Sequence, residues 1–359
     1  MILNEIASQR IVNQHIGKTN YSTAKEVVAS MAAMQAQDFT MSLWAVGIRL
    51  PHSNQQSILQ EFNNGEILRT HLLRPTWHMV SSDDISWMLK LTAPQVKTIT
   101  KNRDLSLGID ETLFKKSNDL FEKALEGGKH LTVDELKSVF IEANIDTDDN
   151  RFYHFTMRAE LDGVICSGAV KNKKQTYALL AERITIRKDY TKDEALSILA
   201  ERYFTSHGPA CLKDFVWWSG LSTGNARQAL ESVKHNFNSD RVDGETYWFK
   251  DIDDGKPTDN PSIHFMPAFD EIIISYRNRN AVLLPINQPK AFSSNGIFHP
   301  VIIINGHGHG TWKRTIKKDT VLIEPQLFTS LDKKHESIFL IAADEYSRFL
   351  ELKTNLKVK

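Results

Sequence analysis

The sequence predicts an α+β protein in which three consecutive helix–helix–hairpin units precede a strand-rich C-terminal unit. Three helical patterns along the chain begin with the same Thr-x-x-Glu capping box, which marks a helix start. Each is followed by a second helical pattern and then by alternating apolar residues on both sides of a turn, which indicates a β-hairpin. Two helices and a two-stranded wing make up a winged helix, so the sequence predicts three tandem winged helix-turn-helix domains.

The first unit is predicted over residues 1–109. Its first helix opens with the capping box at Thr23, and its apolar spacing continues through Met34. Asp38 has the position of an N-cap for the next helix, "FTMSLWAVGIRL". The stretch "EILRTHLLRPTWHMVS" then alternates apolar and polar residues around an Arg-Pro turn, which predicts the wing.

The second unit is predicted over residues 110–188. Its capping box lies at Thr132, and "RFYHFTMRAELDGVI" predicts the helix that follows. The stretch "GVICSGAVKNKKQTYAL" predicts two strands with a polar turn between them. This unit therefore repeats the order of the first.

The third unit is predicted over residues 189–258. The helix behind its capping box ends at Gly208, and Pro209 suits the first turn of the next helix, where a missing N–H costs nothing. Gly220 ends that helix, and a further helix follows before "DRVDGETYWFK", whose Asp-Gly pair predicts a tight hairpin.

The C-terminal unit is predicted over residues 259–359 and is rich in short apolar runs. The runs "HFMPAF", "EIIISY", "AVLLPI", "PVIIIN" and "TVLIEP" have the length and composition of strands. The stretch "KKHESIFLIAADEYSRFLEL" predicts a closing helix. A small β-rich unit with one helix is therefore expected.

The composition is that of an ordinary globular protein. Hydrophobic residues make up 41% of the 359 residues and charged residues 25%, and 44 basic side chains balance 44 acidic ones. A neutral chain lacks the strong basic excess that is typical of nucleic-acid binding, although opposite faces of opposite charge can cancel. The local basic clusters "KNKK", "YRNR" and "WKR", each taken alone, are typical of solvated loops.

The cellular location of the protein is predicted from its cysteines and from the length of its apolar runs. Cys166 and Cys211 have no metal or redox spacing, which favours a reducing compartment. The N-terminus has no apolar segment of signal-peptide length, and no apolar run is long enough to span a bilayer. We expect a cytoplasmic protein without a membrane partner.

Five phrases resemble one family. "MQAQDFTMSLWAVGIRL", "ILRTHLLRPTWHMV", "RYFTSHGPACLKDFVWWSGL", "FMPAFDEIIISYRNR" and "HPVIIINGHGHGTWKR" are similar, in order, to segments of the AlkZ/YcaQ DNA glycosylases. The resemblance implies three winged helices arranged as a C around duplex DNA, with a β-rich C-terminal part. It also implies Gln35 and Gln37 as the family's catalytic Gln-apolar-Gln motif, whereas the YcaQ branch has Gln-apolar-Asp.

Two amides suit the chemistry that this resemblance implies. AlkZ-branch members remove bulky alkylated purines, including bases joined in interstrand crosslinks. A purine alkylated at N7 carries positive charge and leaves without a general acid, so an amide that positions water at C1′ suffices. Side chains two positions apart on an α-helix point about 200° apart, so Gln35 and Gln37 converge only where the helix ends. The alternative is that both amides satisfy exposed backbone groups at that helix end.

The stretch "VIIINGHGHGTW" predicts a hairpin for the DNA groove. Asn305 begins an Asn-Gly turn, His307 and His309 then point to one face, and the intervening glycine removes bulk. In AlkZ a His-apolar-His hairpin probes the minor groove, and the central Gly here departs from that pattern. An exposed polar turn is the alternative. A metal site is disfavoured, because no third ligand is evident.

Other residues are assigned from the same phrases. Arg74 and His78 on the first wing are expected to contact DNA, and so are Lys313 and Arg314 beyond the hairpin. Asp270 is expected either to line the site or orient the hairpin, or else to form a buried ion pair with Arg277 or Arg279.

The sequence thus predicts a monomeric, monofunctional DNA glycosylase without a metal or other cofactor. Its partner would be duplex DNA carrying cationic N7- or N3-alkylpurines. The alternative is a winged-helix DNA-binding protein without catalysis, such as a regulator. Gln35 and Gln37 discriminate between the two, because a regulator has no need of them.

Overall fold

The structure is a computed structural model that describes residues 2–250, 262–332 and 335–357. Within them, helices are combined with small, mainly antiparallel sheets, which agrees with the predicted α+β class. The predicted boundary between residues 258 and 259 lies outside the described residues, and the other predicted boundaries stay predictions.

The first repeat has the order helix–strand–helix–helix–strand–strand. The short strand β1 pairs with β3, and β3 also pairs with β2, so the sheet order is β1-β3-β2. The predicted helix through Met34 is wrong: Ala32 has a φ of +61°, and the chain turns there into β1. The elements to this point are α1 (Leu3–Asn13), α2 (Ala24–Ser30), β1 (Ala33–Gln35), α3 (Phe39–Gly47), α4 (Gln55–Asn64), β2 (Ile67–Leu72) and β3 (Thr76–Ser81).

A 22-residue helix, which the sequence pattern did not predict, connects the first repeat to the second. The second repeat has the same element order, and its sheet has the same strand order, β4-β6-β5. Its elements are α5 (Ile85–Ser106), α6 (Glu111–Leu125), β4 (Leu131–Thr132), α7 (Val133–Glu142), α8 (Arg151–Leu161), β5 (Ile165–Ser167), β6 (Thr176–Leu179) and α9 (Leu180–Arg183).

The third repeat again follows this order, and its sheet is β7-β9-β8. The predicted helix start at Pro209 is wrong, because the chain first forms β7 and the helix begins at Leu212. Gly220 ends that helix with a φ of +68°, as predicted. The elements are α10 (Lys192–His207), β7 (Ala210–Cys211), α11 (Leu212–Ser219), α12 (Thr223–Val233), β8 (Asn238–Val242) and β9 (Glu245–Phe249).

The capping boxes predict these repeats because they satisfy free backbone groups at helix starts. The hydroxyl oxygens of Thr23, Thr132 and Thr191 each accept from the backbone N–H three residues later, and a Glu side chain reaches back in each case. The boxes at Thr23 and Thr191 begin the first helix of their repeats, whereas the box at Thr132 begins α7, the second helix of its repeat.

The C-terminal unit is a five-stranded sheet of order β10-β11-β12-β13-β14, antiparallel except for the last pair. The strands predicted in "EIIISY" and "AVLLPI" are wrong: the first is the short helix α13, and the second leads into a 3₁₀ turn at Pro285–Asn287. The elements are β10 (Ile263–Phe265), α13 (Glu271–Ile274), α14 (Gln288–Ala291), β11 (Val301–Ile304), β12 (His307–Ile316), β13 (Thr320–Leu327), α15 (Glu336–Phe349) and β14 (Lys353–Leu356).

The hydrophobic cores join parts of the chain that are far apart in sequence. The largest core mixes the first repeat with the C-terminal sheet, and within it the Trp44 indole donates to the Phe265 carbonyl at 2.7 Å. A second core mixes the first and third repeats, whereas the second repeat has a core of its own. The first repeat is thereby held by two others, and its strand β1 lies where they meet.

Candidate active site

Gln35 is the last residue of β1, and Gln37 follows it in the turn toward α3. The Ala36 N–H still donates to the Trp77 carbonyl at 2.7 Å, so the sheet pairing continues one residue beyond the strand. In extended backbone, residues two apart point to the same side. A strand therefore removes the divergence that a helix would impose. The Gln35 side chain is only 5% exposed, whereas Gln37 is exposed.

The Gln35 amide is held by an arginine from the predicted first wing. Arg74 lies in the turn between β2 and β3, and its Nη2 donates to the Gln35 Oε1 at 2.8 Å. Burial lowers the pKa of the Arg74 guanidinium, which is half-buried. The structure thus places Arg74 on the predicted wing and brings it to the predicted motif.

A backbone approach between repeats fixes the position of this turn. A Cβ on Gly220 would lie 2.2 Å from the Leu73 carbonyl oxygen. Only glycine fits such contact at a φ of +68°. The α11–α12 turn of the third repeat therefore packs directly against the turn that carries Arg74.

A buried carboxylate supports the other side of the segment. Glu271, at the start of α13, accepts from the Gln35 backbone N–H at 2.5 Å, and its other oxygen accepts from the Trp218 indole at 3.1 Å. Burial alone would raise the pKa of Glu271, but the His207 ring, whose Nε2 lies 3.6 Å from a Glu271 oxygen, and hydrogen bonds from Ser275 and the Gln35 backbone lower it to about 2. Glu271 is 1% exposed, so it supports the backbone and does not face solvent.

The segment between the glutamines is held from a third direction. Arg69 donates through Nε to the Ala36 carbonyl at 2.9 Å, and its Nη1 donates to Gln175 of the second repeat at 2.8 Å. The Arg69 guanidinium lies 4.3 Å from the centre of a Trp77 ring. Arg69 and Trp77 also line a cavity of about 370 Å³ between the first and second repeats.

Asp38 continues the motif and caps α3, as predicted. Its Oδ1 accepts from the Met41 N–H at 3.0 Å. Its Oδ2 lies 3.8 Å from the Arg314 Nη2 on β12. Arg314 is half-buried and its neighbour Lys313 is exposed, so the C-terminal sheet presents one of its two predicted DNA-binding cations beside the glutamine segment.

The predicted surface position of His78 is wrong. Its side chain is 0% exposed, because His78 lies on the central strand β3 and pairs with Gln35 on β1. Its Nδ1 lies 2.9 Å from the Thr76 carbonyl, and burial lowers its pKa to about 3. A neutral histidine here supports the strand beneath the site and is not available to DNA.

Asp270 forms a buried ion pair with a partner that the sequence did not indicate. Its two carboxylate oxygens accept from Arg49 at 2.8 and 2.9 Å, and Oδ1 also caps α13 at the Ile272 N–H. The predicted partners Arg277 and Arg279 are wrong. Asp270 is 3% exposed and neither lines an open site nor touches the hairpin turn. It fixes the start of the helix that carries Glu271.

The Asn-Gly hairpin forms as predicted, but it is packed against the protein. Asn305 and Gly306 both have positive φ, and a Cβ on Gly306 would lie 2.9 Å from the Ala7 backbone in α1. Gly308 faces Leu283 in the same way. The glycines therefore provide room for neighbouring segments, which is a different reason from the predicted approach to a groove.

The two hairpin histidines are half-buried, and their predicted common face is interrupted. The β11–β12 register shifts by one residue, so that His309 is the extra residue of a bulge. Burial lowers the pKa of both His307 and His309. Across residues 2–250, 262–332 and 335–357, no three His, Cys, Asp or Glu side chains form a group suited to a metal ion.

Sequence reasoning missed Glu271 and Arg69 as supports of the motif. Glu271 directly follows Asp270, the candidate residue in "PAFDE", and it lies 236 positions from Gln35. All six residues of β2 are buried, so Arg69 is not distinguished from its neighbours there. Neither position carries a local signal, because Glu271 meets Gln35 from another unit and Arg69 reaches Ala36 across 33 positions.

The comparisons with known proteins match nearly all of the chain. The family model described as "DNA glycosylase AlkZ-like" matches residues 28–349. The chain belongs to the AlkZ-like DNA glycosylase family. This confirms the resemblance that the five sequence phrases indicated.

Two AlkZ-like matches come from Streptomyces sahachiroi. An "Interstrand DNA cross-link repair glycosylase" is 21% identical over 335 residues, which cover 86% of this chain and 87% of that protein. The solved "DNA glycosylase AlkZ" is similar in fold, with a TM-score of 0.83, 18% identity and complete coverage of both chains. At this identity, the solved structure supports a shared α+β fold and no more.

Among the described residues of this AlkZ-like chain, no helix combines the length and the apolar character needed to cross a bilayer.

Proposed function

We propose that this AlkZ-like protein excises cationic N7- or N3-alkylated purines from duplex DNA by water attack at C1′. The observation that carries the proposal is the Gln35-Ala36-Gln37 segment, in which one amide is fixed and the other is exposed. Side-chain hydrogen bonds from the first repeat and from the C-terminal unit converge on Gln35 and Ala36. Such support is expected where a side chain must be positioned within a fraction of an ångström.

The two amides have different parts in this proposal. The Gln35 oxygen already accepts from Arg74, so its NH₂ group is the part left to donate to a sugar or phosphate oxygen. Gln37 is exposed, and its carbonyl oxygen is the better acceptor for the attacking water. We therefore assign the water to Gln37 and the orientation of the nucleotide to Gln35.

Neutral groups suit a leaving group that is already activated. A cationic purine departs without a general acid, and the developing oxocarbenium ion needs a well-placed nucleophile more than a strong base. An amide cannot form a Schiff base with the sugar, so the product is a free base and an abasic site. This is the chemistry of a monofunctional glycosylase without a cofactor.

We also propose that the three repeats are winged helices that surround duplex DNA as a C. The support is the common order helix–strand–helix–helix–strand–strand, with the short strand always paired to the last one. Action on bulky adducts or interstrand crosslinks is part of the proposal, because the Streptomyces relative is named for crosslink repair. The monomeric state and the cytoplasmic location stay predictions.

The test is an excision assay on two substrates. Duplex containing N7-methylguanine and a separate duplex with an N7-linked interstrand crosslink are incubated with the protein, and abasic sites are then cleaved. Release from at least one substrate, with normal purines left intact, is expected. If the protein binds duplex tightly but releases no base from either substrate, the regulator alternative is supported. If it neither binds duplex nor releases a base, the proposed action on DNA is refuted.

A further inference from the structure

An unpaired cluster of arginines surrounds Trp217 beside the glutamine segment. The guanidinium carbons of Arg74, Arg277 and Arg279 lie 5.8, 5.5 and 5.3 Å from a centre of the Trp217 ring system. Trp217 is half-buried and Arg277 is exposed, so the cluster is open to solvent. The predicted solvated loop "YRNR" therefore supplies two members of a built arrangement.

The nearest carboxylates are already engaged by other groups. Asp214 accepts from the Arg277 backbone N–H at 2.8 Å and lies 3.7 Å from the Arg10 guanidinium. Glu271 is occupied by its own set of donors. Within the described ranges, no ion pair joins a carboxylate to the side chains of Arg74, Arg277 or Arg279. The three guanidinium groups thus lie together without a directly bonded carboxylate, although the charge of Asp214 acts on Arg279 and that of Glu271 on Arg74.

The protein holds the cluster in place in spite of this repulsion. Arg279 donates through Nε to the Ile273 carbonyl at 3.0 Å, and its guanidinium lies 5.0 Å from the Phe292 ring. The Trp217 indole donates to the Ile274 carbonyl at 2.8 Å. Burial first, and then the charge of Arg74, lower the pKa of Arg279 to about 10, with Asp214 opposing them. Fixed guanidinium groups that lack a partner are a prepared site for an anion.

Room for an anion adjoins the cluster. Arg277 and Arg279 line a cleft of about 460 Å³, together with the polar side chains of Asn280 and Gln288. Two carboxylates also line it, but Asp214 accepts from the Arg277 backbone N–H and Glu245 pairs with Lys213. A guanidinium binds phosphate oxygens in a bidentate manner. The Asn280 amide nitrogen can donate to the same anion, whereas the Gln288 Nε2 already donates to the Asn280 Oδ1 at 3.0 Å and to the Leu283 carbonyl at 3.1 Å.

We propose that Trp217, Arg74, Arg277 and Arg279 form a binding site for one phosphodiester of the DNA backbone. The inference rests on the proposed function and deepens it. Because Arg74 also holds the Gln35 amide, a phosphate bound here sets the position of the nucleotide relative to the catalytic segment. The site is thus a positioning device for the sugar that water attacks.

The first experiment measures how duplex affinity depends on salt for wild type and Arg277→Gln. Losing one phosphate contact lowers the magnitude of the slope of log K against log [salt] by about 1. Arg348→Gln is the matched control, because it removes the same charge from a side chain already paired with Asp344 at 3.3 Å. Arg277 is exposed, so melting curves are expected to coincide.

The outcomes separate this inference from the function beneath it. A wild type that neither binds nor excises would overturn both. A wild type that does both, with an Arg277→Gln slope no lower in magnitude than that of Arg348→Gln, would overturn the phosphate site alone.

Two further arms identify the anion and the geometry. In the first arm, phosphate replaces chloride at matched ionic strength, and protein stability is measured. If phosphate stabilises wild type but not Arg277→Gln, and the two proteins bind DNA equally, the site binds free phosphate and the DNA assignment is overturned. Arg279→Lys keeps the charge but loses the planar fork, so excision is expected to fall about tenfold or more while overall affinity is nearly kept. Full excision by Arg279→Lys would contradict the positioning role.

Discussion

At the scale of single residues, the two glutamines differ in a way that their spacing conceals. Gln35 is buried, and its amide oxygen is bonded to Arg74, whereas Gln37 is exposed just beyond the strand. Substitution of either one therefore tests a different property. Substitution of Gln35 tests both the support of the segment and the orientation of the nucleotide. Substitution of Gln37 tests only the positioning of the water.

Gln37→Ala is expected to lower the excision rate about 100-fold or more with little change in DNA affinity or melting temperature. The water has one or two ligands, whereas binding is spread over many phosphates. Gln35→Ala also removes the partner of a half-buried guanidinium, so we expect it to cost about 1–3 kcal/mol of unfolding free energy as well. Single-turnover excision and melting on the same samples measure both. Wild-type excision by the double variant would end the catalytic hypothesis.

Glu271 makes the free energy of unfolding depend on pH in the acid range. Because its pKa is lowered from 4.5 to about 2, its contribution is complete above pH 4.5 and is lost as the pH falls toward 2. The lowering corresponds to roughly 3 kcal/mol. Glu271→Gln is expected to flatten the fall of unfolding free energy across that window, as measured by denaturant titration at several pH values. The exposed Glu122→Gln serves as the control, and an equal pH dependence in both variants would contradict the assignment.

At the scale of elements, the contact between two turns positions Arg74. Gly220→Ala places a Cβ against the Leu73 carbonyl at an unfavourable φ. Gly127→Ala is the matched control, since Gly127 has a φ of +84° and no atom within 4 Å of its added Cβ. We expect both variants to lose roughly 1 kcal/mol of unfolding free energy, because alanine disfavours a positive φ. Only Gly220→Ala is expected to lose more than this and to excise slowly. Equal losses would show that the contact between the turns is not important.

The docked hairpin makes its own prediction. Replacement of His307 and His309 by Ala is expected to slow excision of bulky lesions more than that of N7-methylguanine, because a groove-facing element matters most where the groove is filled. Lys313→Gln on the same strand is the control for lost DNA affinity. The ratio of single-turnover rates on the two substrates is the measurement. An unchanged ratio would assign the histidines to packing against the Ala281–Leu283 segment.

Elements with local signals were predictable from the sequence, and elements set by distant contacts were not. The capping boxes and the Asn-Gly and Asp-Gly turns satisfy their own backbone, so they appeared where they were expected. The Ile-rich run of α13 looked like a strand, but the Asp270 cap and burial on every side made it a helix. The alanines after α2 favour a helix, yet Ala32 turns the chain so that β1 can pair with β3.

The same limit applies to the candidate site. Gln35, Gln37 and Arg74 came from recognisable phrases, and the structure joins two of them by a hydrogen bond. His78 has the same sequence neighbourhood as Arg74, but strand alternation turned it inward. The arginines of "YRNR" looked like a solvated loop, because Trp217 comes from another repeat.

At the scale of the whole molecule, net neutrality requires charge to be sorted between faces if the protein binds DNA. The chain has 44 basic and 44 acidic side chains, and the arginines around Trp217 have no carboxylate partner among the described residues. We expect duplex affinity to fall by about 10³–10⁵ between 50 and 200 mM salt if 6–10 phosphates are neutralised. Fluorescence anisotropy over that range is the measurement. A duplex affinity that does not change with salt concentration would contradict binding through DNA phosphates.

The bond between the Gln35 backbone and Glu271 also bears on how the enzyme is made. The two residues are 236 positions apart, so a ribosome completes most of the chain before the carboxylate emerges. A nascent or prematurely ended chain would contain both glutamines yet lack Glu271 and the C-terminal sheet that shares a core with the first repeat. If excision needs Glu271 to hold Gln35, as the proposed function implies, a nascent chain cannot cleave N-glycosidic bonds before residue 271 has been translated, and shorter fragments would be inactive.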